Sequence, residues 1–535
     1  MTDFFSRLPP ILHADAQAAP AIKSRPALAA VHVIDAATAD AMEIDALFEG
    51  INCAETRIGQ ATVYRSLWCP PDNLNEAKAR QTAVAELAQD AELRTRLETL
   101  VHTAGQREGD FYDLLYAQFM GAISSSSHDL EIQGYGYESY IKGTGFMLEL
   151  VESAEALAAS ARSEYLKTLL HGISRFKESR AYRLMQGPVY RTEQRVCTAS
   201  EKSAWIPAIR FRPSLFKPTW LLTVAILLML GLEFVPGLLA IAASVSSLVG
   251  LFILPLALLY IPLVGGFDRD ALIYPLRTVY KTSPEVAQTL DYLGRLDELL
   301  SMVRYPTHFG QTTCLPELIS ASTHRLVLGG VRNPVLGLRH PAYVPNDIRL
   351  DEQRLLLITG PNSGGKTAFC KTLAQVQLLG QLGGYVPAEH AQMGIADHIY
   401  YQIPEISHLA DGEGRFGTEL RRTKEIFMAS TALSLVLMDE LSEGTTHEEK
   451  IEISMSILEG FHQLGNTTVL ITHNHELVDR LLKKNKGMAV QVEFQNEHPT
   501  YRVVEGISRV SHADRVAKKI GFSREDIARY LSGKH

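Results

Sequence analysis

From Asn73 to about Ala104 apolar residues recur at helical spacing, with Leu93, Leu97, Leu100 and Val101 on one face and Asp72 or Asn73 available as the cap. Phe146 to about Phe176 has the same character. Ser283 followed by Pro284 opens a further helix in which Val286, Leu290, Leu293 and Leu300 recur, because proline suits the first helical turn, where an N–H has no partner to lose. The first three hundred residues therefore predict a mainly helical region. Later the period changes: Arg354 to Thr359, Ser434 to Glu440 and Thr467 to Thr472 are short apolar runs suited to buried parallel strands.

One stretch fits neither pattern. Between Lys217 and Asp268, Trp220 to Leu232 and Phe234 to Phe267 carry no charge, and Glu233 alone interrupts them. A membrane span needs roughly 20 apolar residues, so the run has the length of a transmembrane helical hairpin turning near Glu233, Pro236 and Gly237, with a short first span. A carboxylate at mid-bilayer costs about 3 kcal/mol, which places Glu233 in the turn or at an interface. Arg210, Arg212 and Lys217 before the run, and Arg269, Arg277 and Lys281 after it, put both ends on the cytoplasmic side. The competing expectation is a pair of helices buried in a large soluble core. Upstream, Arg175, Lys177, Arg180, Arg183, Arg191 and Arg195 outnumber Glu178 and Glu193, a basic approach suited to anionic headgroups, to nucleic-acid phosphate, or simply to solvent.

At 535 residues the chain predicts two or three folded units, and 46% hydrophobic with 21% charged residues suffices for packed cores. A net charge of −8 excludes a globally basic nucleic-acid binder, though not a local basic stripe. The cysteines Cys53, Cys69, Cys197, Cys314 and Cys370 are scattered and odd in number, which fits a reducing compartment. Residues 1–30 hold Pro9, Pro10, Pro20 and Pro26 without a continuous apolar core, and read as a loose arm.

The chemistry concentrates in the C-terminal third. Directly after the Arg354 to Thr359 run comes Gly360-Pro361-Asn362-Ser363-Gly364-Gly365-Lys366-Thr367, a complete P-loop pattern. Its glycines let backbone N–H groups turn around phosphate oxygens, Lys366 brings a positive charge to the β- and γ-phosphates, and the Thr367 hydroxyl can serve Mg²⁺. The helix that follows presents its positive end to the anion. Further on, the second apolar run ends in Asp439, placed for the magnesium shell, and Glu440, placed to polarise the attacking water. The third ends at His473, where a parallel sheet gathers its ligands near the γ-phosphate. Three strand-end features in this order predict a site that binds and hydrolyses ATP.

These residues resemble the MutS family of DNA mismatch-repair ATPases. The likeness runs from about His340 to His475: Gly-Pro-Asn-x-Gly-Gly-Lys, Arg339-His-Pro341, Tyr343-Val-Pro-Asn-Asp-Ile348, Gly384-Tyr-Val-Pro-Ala388, Ile399-Tyr400, Leu437-Met-Asp-Glu-Leu441, Gly444-Thr-Thr446 and Thr472-His473 follow in the family's order. The resemblance implies that Tyr343 packs on adenine. A weaker likeness covers Ile44 to Leu87, where Glu55-Thr-Arg-Ile-Gly59 and Arg80-Gln81 look like the family's helical core. Gly506 to Ser511, with Val516, Ala517 and Gly521, looks like the segment that closes the ATPase domain. The implied fold is an α/β P-loop NTPase domain, MutS- and ABC-like, preceded by a mainly α-helical core and lever domain carrying the transmembrane hairpin. The implied cofactors are ATP and Mg²⁺, and the implied assembly is a homodimer in which a signature loop completes the other subunit's site.

Two departures qualify the resemblance. Where the family usually carries Ser-Thr-Phe-x-x-Glu, this chain has Gly414-Arg415-Phe416-Gly417-Thr418-Glu419. Either Arg415 replaces the lost hydroxyls as an arginine finger, or the contact in trans is lost, while Phe416 and Glu419 keep the spacing. No domain presenting Phe-x-Glu to a minor groove fits ahead of the core-like segment, and Gly109-Asp-Phe-Tyr-Asp113 reads as a packed aromatic pair on a helix. The expected organisation is an arm (1–30), a helical core and lever (31–216), the hairpin (217–266), a returning lever helix (267–315) and the ATPase domain (316–535). The leading expectation is an ATPase anchored in the inner membrane, both soluble domains cytoplasmic, that moves levers and takes DNA as cargo by resemblance, as in mismatch repair; a wholly cytoplasmic protein is the alternative. The competing functions are a transport or membrane-remodelling ATPase and a non-hydrolysing, ATP-dependent scaffold.

Overall fold

The computed structural model describes residues 11–12, 15–26, 33–119, 133–203, 205–214, 262–361, 364–404, 414–441, 447–495, 498–508 and 520–533. The first part of the chain is helical: α1 (Ala36–Ala41), α2 (Ile44–Ile51), α3 (Arg57–Trp68), α4 (Leu74–Gln89), α5 (Ala91–Tyr116), α6 (Tyr137–Ala158), α7 (Glu164–Ser174), α8 (Arg180–Gln186), α9 (Tyr274–Thr282) and α10 (Pro284–Phe309). Short polar side chains set their starts. Asp35, Thr56, Asn73, Asp90, Ser179 and Ser283 each accept from a backbone N–H three residues on, satisfying a donor that the first turn leaves unpaired.

Two of the long helices read from periodicity are broken. The stretch from Asn73 to Ala104 divides at Asp90, whose extended backbone ends α4 while its carboxylate caps α5 at Leu93. Likewise, the stretch from Phe146 to Phe176 divides after Ala158. There Glu86 of α4 accepts from the N–H groups of Arg162 and Ser163, at 2.6 and 2.8 Å, and pins the break.

The rest is α/β. A small sheet pairs β1 (Tyr190–Arg191) with β2 (Val196–Cys197) and β3 (Ile209–Arg210), in the order β2-β1-β3. A second sheet has the order β4-β8-β5-β6, from β4 (Glu317–Leu318), β5 (Leu326–Val331), β6 (Asn346–Leu350) and β8 (His390–Met393). The main sheet has the order β13-β12-β7-β11-β10-β9, from β7 (Leu355–Thr359), β9 (Ile399–Gln402), β10 (Leu435–Asp439), β11 (Thr467–Ile471), β12 (Met488–Gln495) and β13 (His498–Glu505). Its strands are parallel except β13. Among the described residues six helices accompany the sheets: α11 (Leu336–Arg339), α12 (Lys366–Gln381), α13 (Gly414–Ala429), α14 (His447–Leu464), α15 (His475–Lys483) and α16 (Arg524–Leu531).

Alternation along the central strands makes the layers. Leu356 and Ile358, Leu435 and Leu437, and Val469 and Ile471 face one core together with Phe369, Leu373 and Val376 of α12. Their neighbours Leu355, Leu357, Val436, Met438 and Leu470 face the other, with Ile451 and Leu458 of α14 and Val478 and Leu481 of α15. The first of these cores also takes Leu47, Tyr64, Leu67 and Trp68 from the helical region, and Tyr305 and Phe309 from α10. Thus α12, which begins at the P-loop, is shared by both parts of the molecule. No helix among the described residues is long and apolar enough to cross a membrane. The hairpin expected at 217–266 lies, through residue 261, outside the described residues, and 262–268 are helical.

Candidate functional site

β7, β11 and β10 lie side by side in parallel, so their C-terminal ends open on one edge of the sheet. The chain leaves β7 through Gly360, with φ +129°, and enters α12 from Gly365, with φ +85°, conformations that glycine adopts without a Cβ clash. The loop is backed by β12, where a Cβ on Gly364 would stand 3.2 Å from that of Val492. Ser508 closes it from the C-terminal side, its N–H donating to Thr359 Oγ1 at 2.9 Å. Pro361 is buried, and Asn362 and Ser363 lie outside the described residues.

Lys366 is buried, and its Nζ donates to the Gly360 carbonyl at 2.7 Å. Burial holds its pKa below the ordinary lysine value, against the pull of Asp439 and Glu440. At the next position Thr367 Oγ1 donates to Asp439 Oδ2 at 2.9 Å, which brings an oxygen from the P-loop helix and one from the end of β10 together. Both are hard oxygen donors of the type Mg²⁺ takes, and the remaining ligands of such an ion are ordinarily phosphate oxygens and water.

Glu440 follows with φ +64°, a left-handed backbone that a non-glycine residue rarely holds and that turns its side chain across the strand ends. Its Oε1 accepts from the His473 N–H at 2.6 Å and its Oε2 from Thr472 Oγ1 at 3.2 Å, tying β10 to β11. Lys450 of α14 stands 3.7 Å from the same Oε2. The His473 pKa is lowered, first by burial and then by the positive charge of Lys366, against the pull of Glu440 and Asp439. Gly360, Pro361, Gly364, Gly365, Lys366, Thr367, Asp439, Glu440 and His473 are therefore gathered on one edge, with Lys366 and the two acids as its charges.

The remaining expected residues are placed differently. Tyr343 is half-buried, and its hydroxyl is engaged by the Thr372 side chain and the Asn333 backbone. An aromatic residue that the sequence did not point to lies against the loop: Tyr501 of β13, 53% exposed, whose Cδ1 would stand 3.4 Å from a Cβ on Gly365. It holds φ +61°, and Asn346 fixes the strand there by bonding the Tyr501 carbonyl and the Val503 N–H. Phe416 and Glu419 lie on α13, where the Glu419 carbonyl accepts from Gln402 and Thr423; Arg415 belongs to the same helix, with its side chain outside the described residues.

Also unforeseen are the glutamines of α12. Gln375 donates to the Met42 carbonyl at 2.7 Å, and Gln381 to those of Pro71 and Ala396 at 2.5 and 2.7 Å. They fasten the P-loop helix to the helical region. Past its end, Gly383 takes φ +84° and lies so close to α4 that a Cβ would stand 2.8 Å from Gln81 N. In turn, Arg80 of α4 meets Glu298 of α10 at 2.5 Å, both buried.

Residues 356–531 match the family model of MutS domain V. Over 219 residues the chain is 35% identical to the DNA mismatch repair protein MutS of Orientia tsutsugamushi (strain Boryong), covering 39% of this chain and 25% of that protein. It is 34% identical over 255 residues to MutS of Desulforamulus reducens, covering 46% and 29%. With the DNA mismatch repair protein MSH3 of Phaeosphaeria nodorum it shares 33% identity over 237 residues, covering 42% and 21%. The chain thus spans between a fifth and a third of the length of these curated relatives.

Proposed function

We propose that the chain, whose residues 356–531 match the MutS domain V model, binds ATP with Mg²⁺ at this edge, hydrolyses it, and uses the cycle to move its helical region. The observation that carries the proposal is the convergence of Lys366, Thr367, Asp439, Glu440 and His473 from three parallel strand ends. With nucleotide bound, Lys366 would exchange the Gly360 carbonyl for the β- and γ-phosphates, and Thr367 and Asp439 would hold Mg²⁺, which would offset phosphate charge. Glu440, oriented by the His473 N–H and Thr472, draws the proton from the attacking water, with His473 as the candidate contact to the γ-phosphate. Tyr501 and Tyr343 are the aromatic candidates for the adenine ring.

The assembly is a homodimer through the ATPase domain, with Arg415, Phe416 and Glu419 of α13 reaching the partner's nucleotide. Movement passes along α12 to the Gly383 turn, on to α4, and through Arg80 and Glu298 to α10. The lever region comprises residues 31–216 and 267–315, and the apolar run 217–266 anchors it in the cytoplasmic membrane with both folded regions in the cytoplasm. The relatives are DNA mismatch repair proteins by name, which makes DNA the proposed cargo. The uncharged character of the run favours a second reading, a membrane-remodelling ATPase that does not act on DNA.

The test is phosphate release by purified protein with and without duplex DNA, beside Glu440→Gln. The expected outcome is ATP-dependent turnover that the variant slows by about 10²- to 10⁴-fold while it still binds ATP. Equal turnover by the two proteins would remove Glu440 from the reaction, and binding without turnover in the wild type would select the scaffold.

A further inference from the structure

We infer that the end of the helical region around Tyr137 and Tyr140 is a bilayer-facing surface, seated on anionic headgroups, with Trp205 as its interfacial anchor. The inference rests on the anchored reading above and deepens it.

Both ends of the apolar run are held at one place. On the incoming side, Phe211 packs edge-on against Tyr140, with ring centroids 5.1 Å apart. On the returning side, Tyr137 Oη donates to Asp268 Oδ2 at 2.6 Å, and Gly265 lies so close to Tyr135 that a Cβ would stand 2.6 Å from the ring. Tyr137 and Tyr140 are one turn apart on α6, so the chain departs and returns beside the same helix end. Residues 215–261 between these points carry only Lys217 and Glu233 as charged residues.

Exposed apolar side chains lie on the segments that flank this place. Others, such as Ile403, Met428 and Tyr530, lie in the ATPase part; among the described residues of the helical region they are Ile141, Trp205, Ile206, Ile209, Leu263 and Phe267, with Trp205 at 94%. Each of these six is on the first turns of α6, in the β2–β3 segment, or in the helix 262–268 that carries Gly265 and Asp268. Exposed apolar side chains on the segments that flank an apolar run mark a candidate contact surface. Tryptophan is the residue most at home at headgroup depth, where its ring is buried and its N–H stays wet.

The charges complement an anionic surface. Arg195, Lys202, Arg210 and Arg212 are exposed on the same β1–β3 stretch of chain as Trp205 or just beyond it, with Lys202 over the Tyr190 ring at 4.9 Å. Most nearby carboxylates are already engaged: Glu201 by Arg180 at 2.7 Å, Asp270 by Arg269 at 2.7 Å, Glu138 by Lys142, and Asp268 by Tyr137. Glu193 is exposed. Each basic side chain near an anionic leaflet adds attraction, while the apolar side chains supply depth.

The chain has Trp68, Trp205 and Trp220, and Trp68 is buried. In a Trp220→Phe background the full-length protein would be reconstituted into vesicles containing phosphatidylglycerol. Its emission would then be quenched with lipids brominated near the headgroup, or with aqueous iodide. The expected result is quenching by bromolipid and protection from iodide, both lost in Trp205→Phe. Arg210→Glu with Arg212→Glu should weaken the bromolipid quenching in anionic vesicles and leave it unchanged in neutral ones. Protein that floats with vesicles while Trp205 stays open to iodide and blind to bromolipid overturns the inference and spares the anchor. Protection from iodide by an oligonucleotide instead of lipid also overturns it. Protein that does not float removes the anchor, and this surface with it.

Discussion

In the helical region charges are buried in pairs along α10: Arg80 meets Glu298 at 2.5 Å, Arg295 meets Asp291 at 2.9 Å, and Asp297 accepts from the Thr56 N–H and hydroxyl, both at 2.7 Å. The central strands of the main sheet carry only apolar residues and threonine until they reach the site edge, where Asp439, Glu440 and Lys366 converge. The helical charges stand opposite charges or hydrogen-bond donors, within α10 for Arg295 and on neighbouring segments for Glu298 and Asp297, which links one helix to the next. Those at the sheet edge come from separate strand ends and are held by short contacts to Gly360, Thr367, Thr472 and the His473 N–H. Under the proposed function the difference is that between a joint and a reaction centre, and α12 connects the two regions.

The sharpest way to break the comparison is to remove half of a buried pair. Arg80→Ala leaves Glu298 uncompensated and should cost about 3–5 kcal/mol in urea unfolding, whereas Arg80→Met with Glu298→Leu should be near neutral or stabilising. A mild single variant would show that the pair is not desolvated as its burial implies.

Opposite pH slopes sharpen it next. His324 is fully buried between Thr467 Oγ1 and Gln377 Oε1, and burial pushes its pKa down to about 4. Its folded value lies below the unfolded one near 6.5, so its contribution is full above pH 6.5 and is lost, about 3 kcal/mol in all, as the pH falls towards 4. Asp297 runs the other way: burial raises it from 3.8 to about 6, so its contribution is full below pH 4 and is lost as the pH rises through 6, again about 3 kcal/mol. Chemical denaturation from pH 4 to 7 should therefore show a shallower rise of stability with pH in His324→Asn and a steeper one in Asp297→Asn. Identical slopes in both variants would refute the assignment.

At the site edge, Asp439→Asn should leave the unfolding midpoint nearly unchanged and lower magnesium-dependent turnover by about a hundredfold, roughly 2.7 kcal/mol. The smallest effect belongs to Lys450, whose ammonium stands near Glu440 Oε2. Lys450→Ala should raise turnover by up to about fivefold, close to 1 kcal/mol, by releasing the carboxylate. A large loss would make Lys450 part of the reaction instead.

What the sequence made legible follows from how locally each feature is encoded. The P-loop, the two acids and His473 sit at the ends of apolar runs, so their positions on a parallel sheet follow from pattern alone. The break at Asp90 was hidden because α4 and α5 continue the same apolar spacing across it, and only the capping bond to Leu93 reveals the boundary. On α10 the periodic residues Val286, Leu290 and Leu293 were found, but Arg295, Asp297 and Glu298 are buried as well, by partners on α3, α4 and α10 itself that no local pattern identifies. Gly59 is the one nearby trace, since a Cβ there would fall 2.1 Å from Asp297 Oδ2. Tyr501 reaches the P-loop from a polar hairpin strand, held by the distant Asn346, and nothing in its own neighbourhood announces it.

The central claim is that this edge grips a triphosphate through Lys366. Equilibrium titration of the full chain with ATP and Mg²⁺, wild type beside Lys366→Ala, tests it directly. The account predicts saturable binding that the variant weakens by at least about a hundredfold while its unfolding midpoint stays within reach of the wild type. Equal affinity in the two proteins would contradict it.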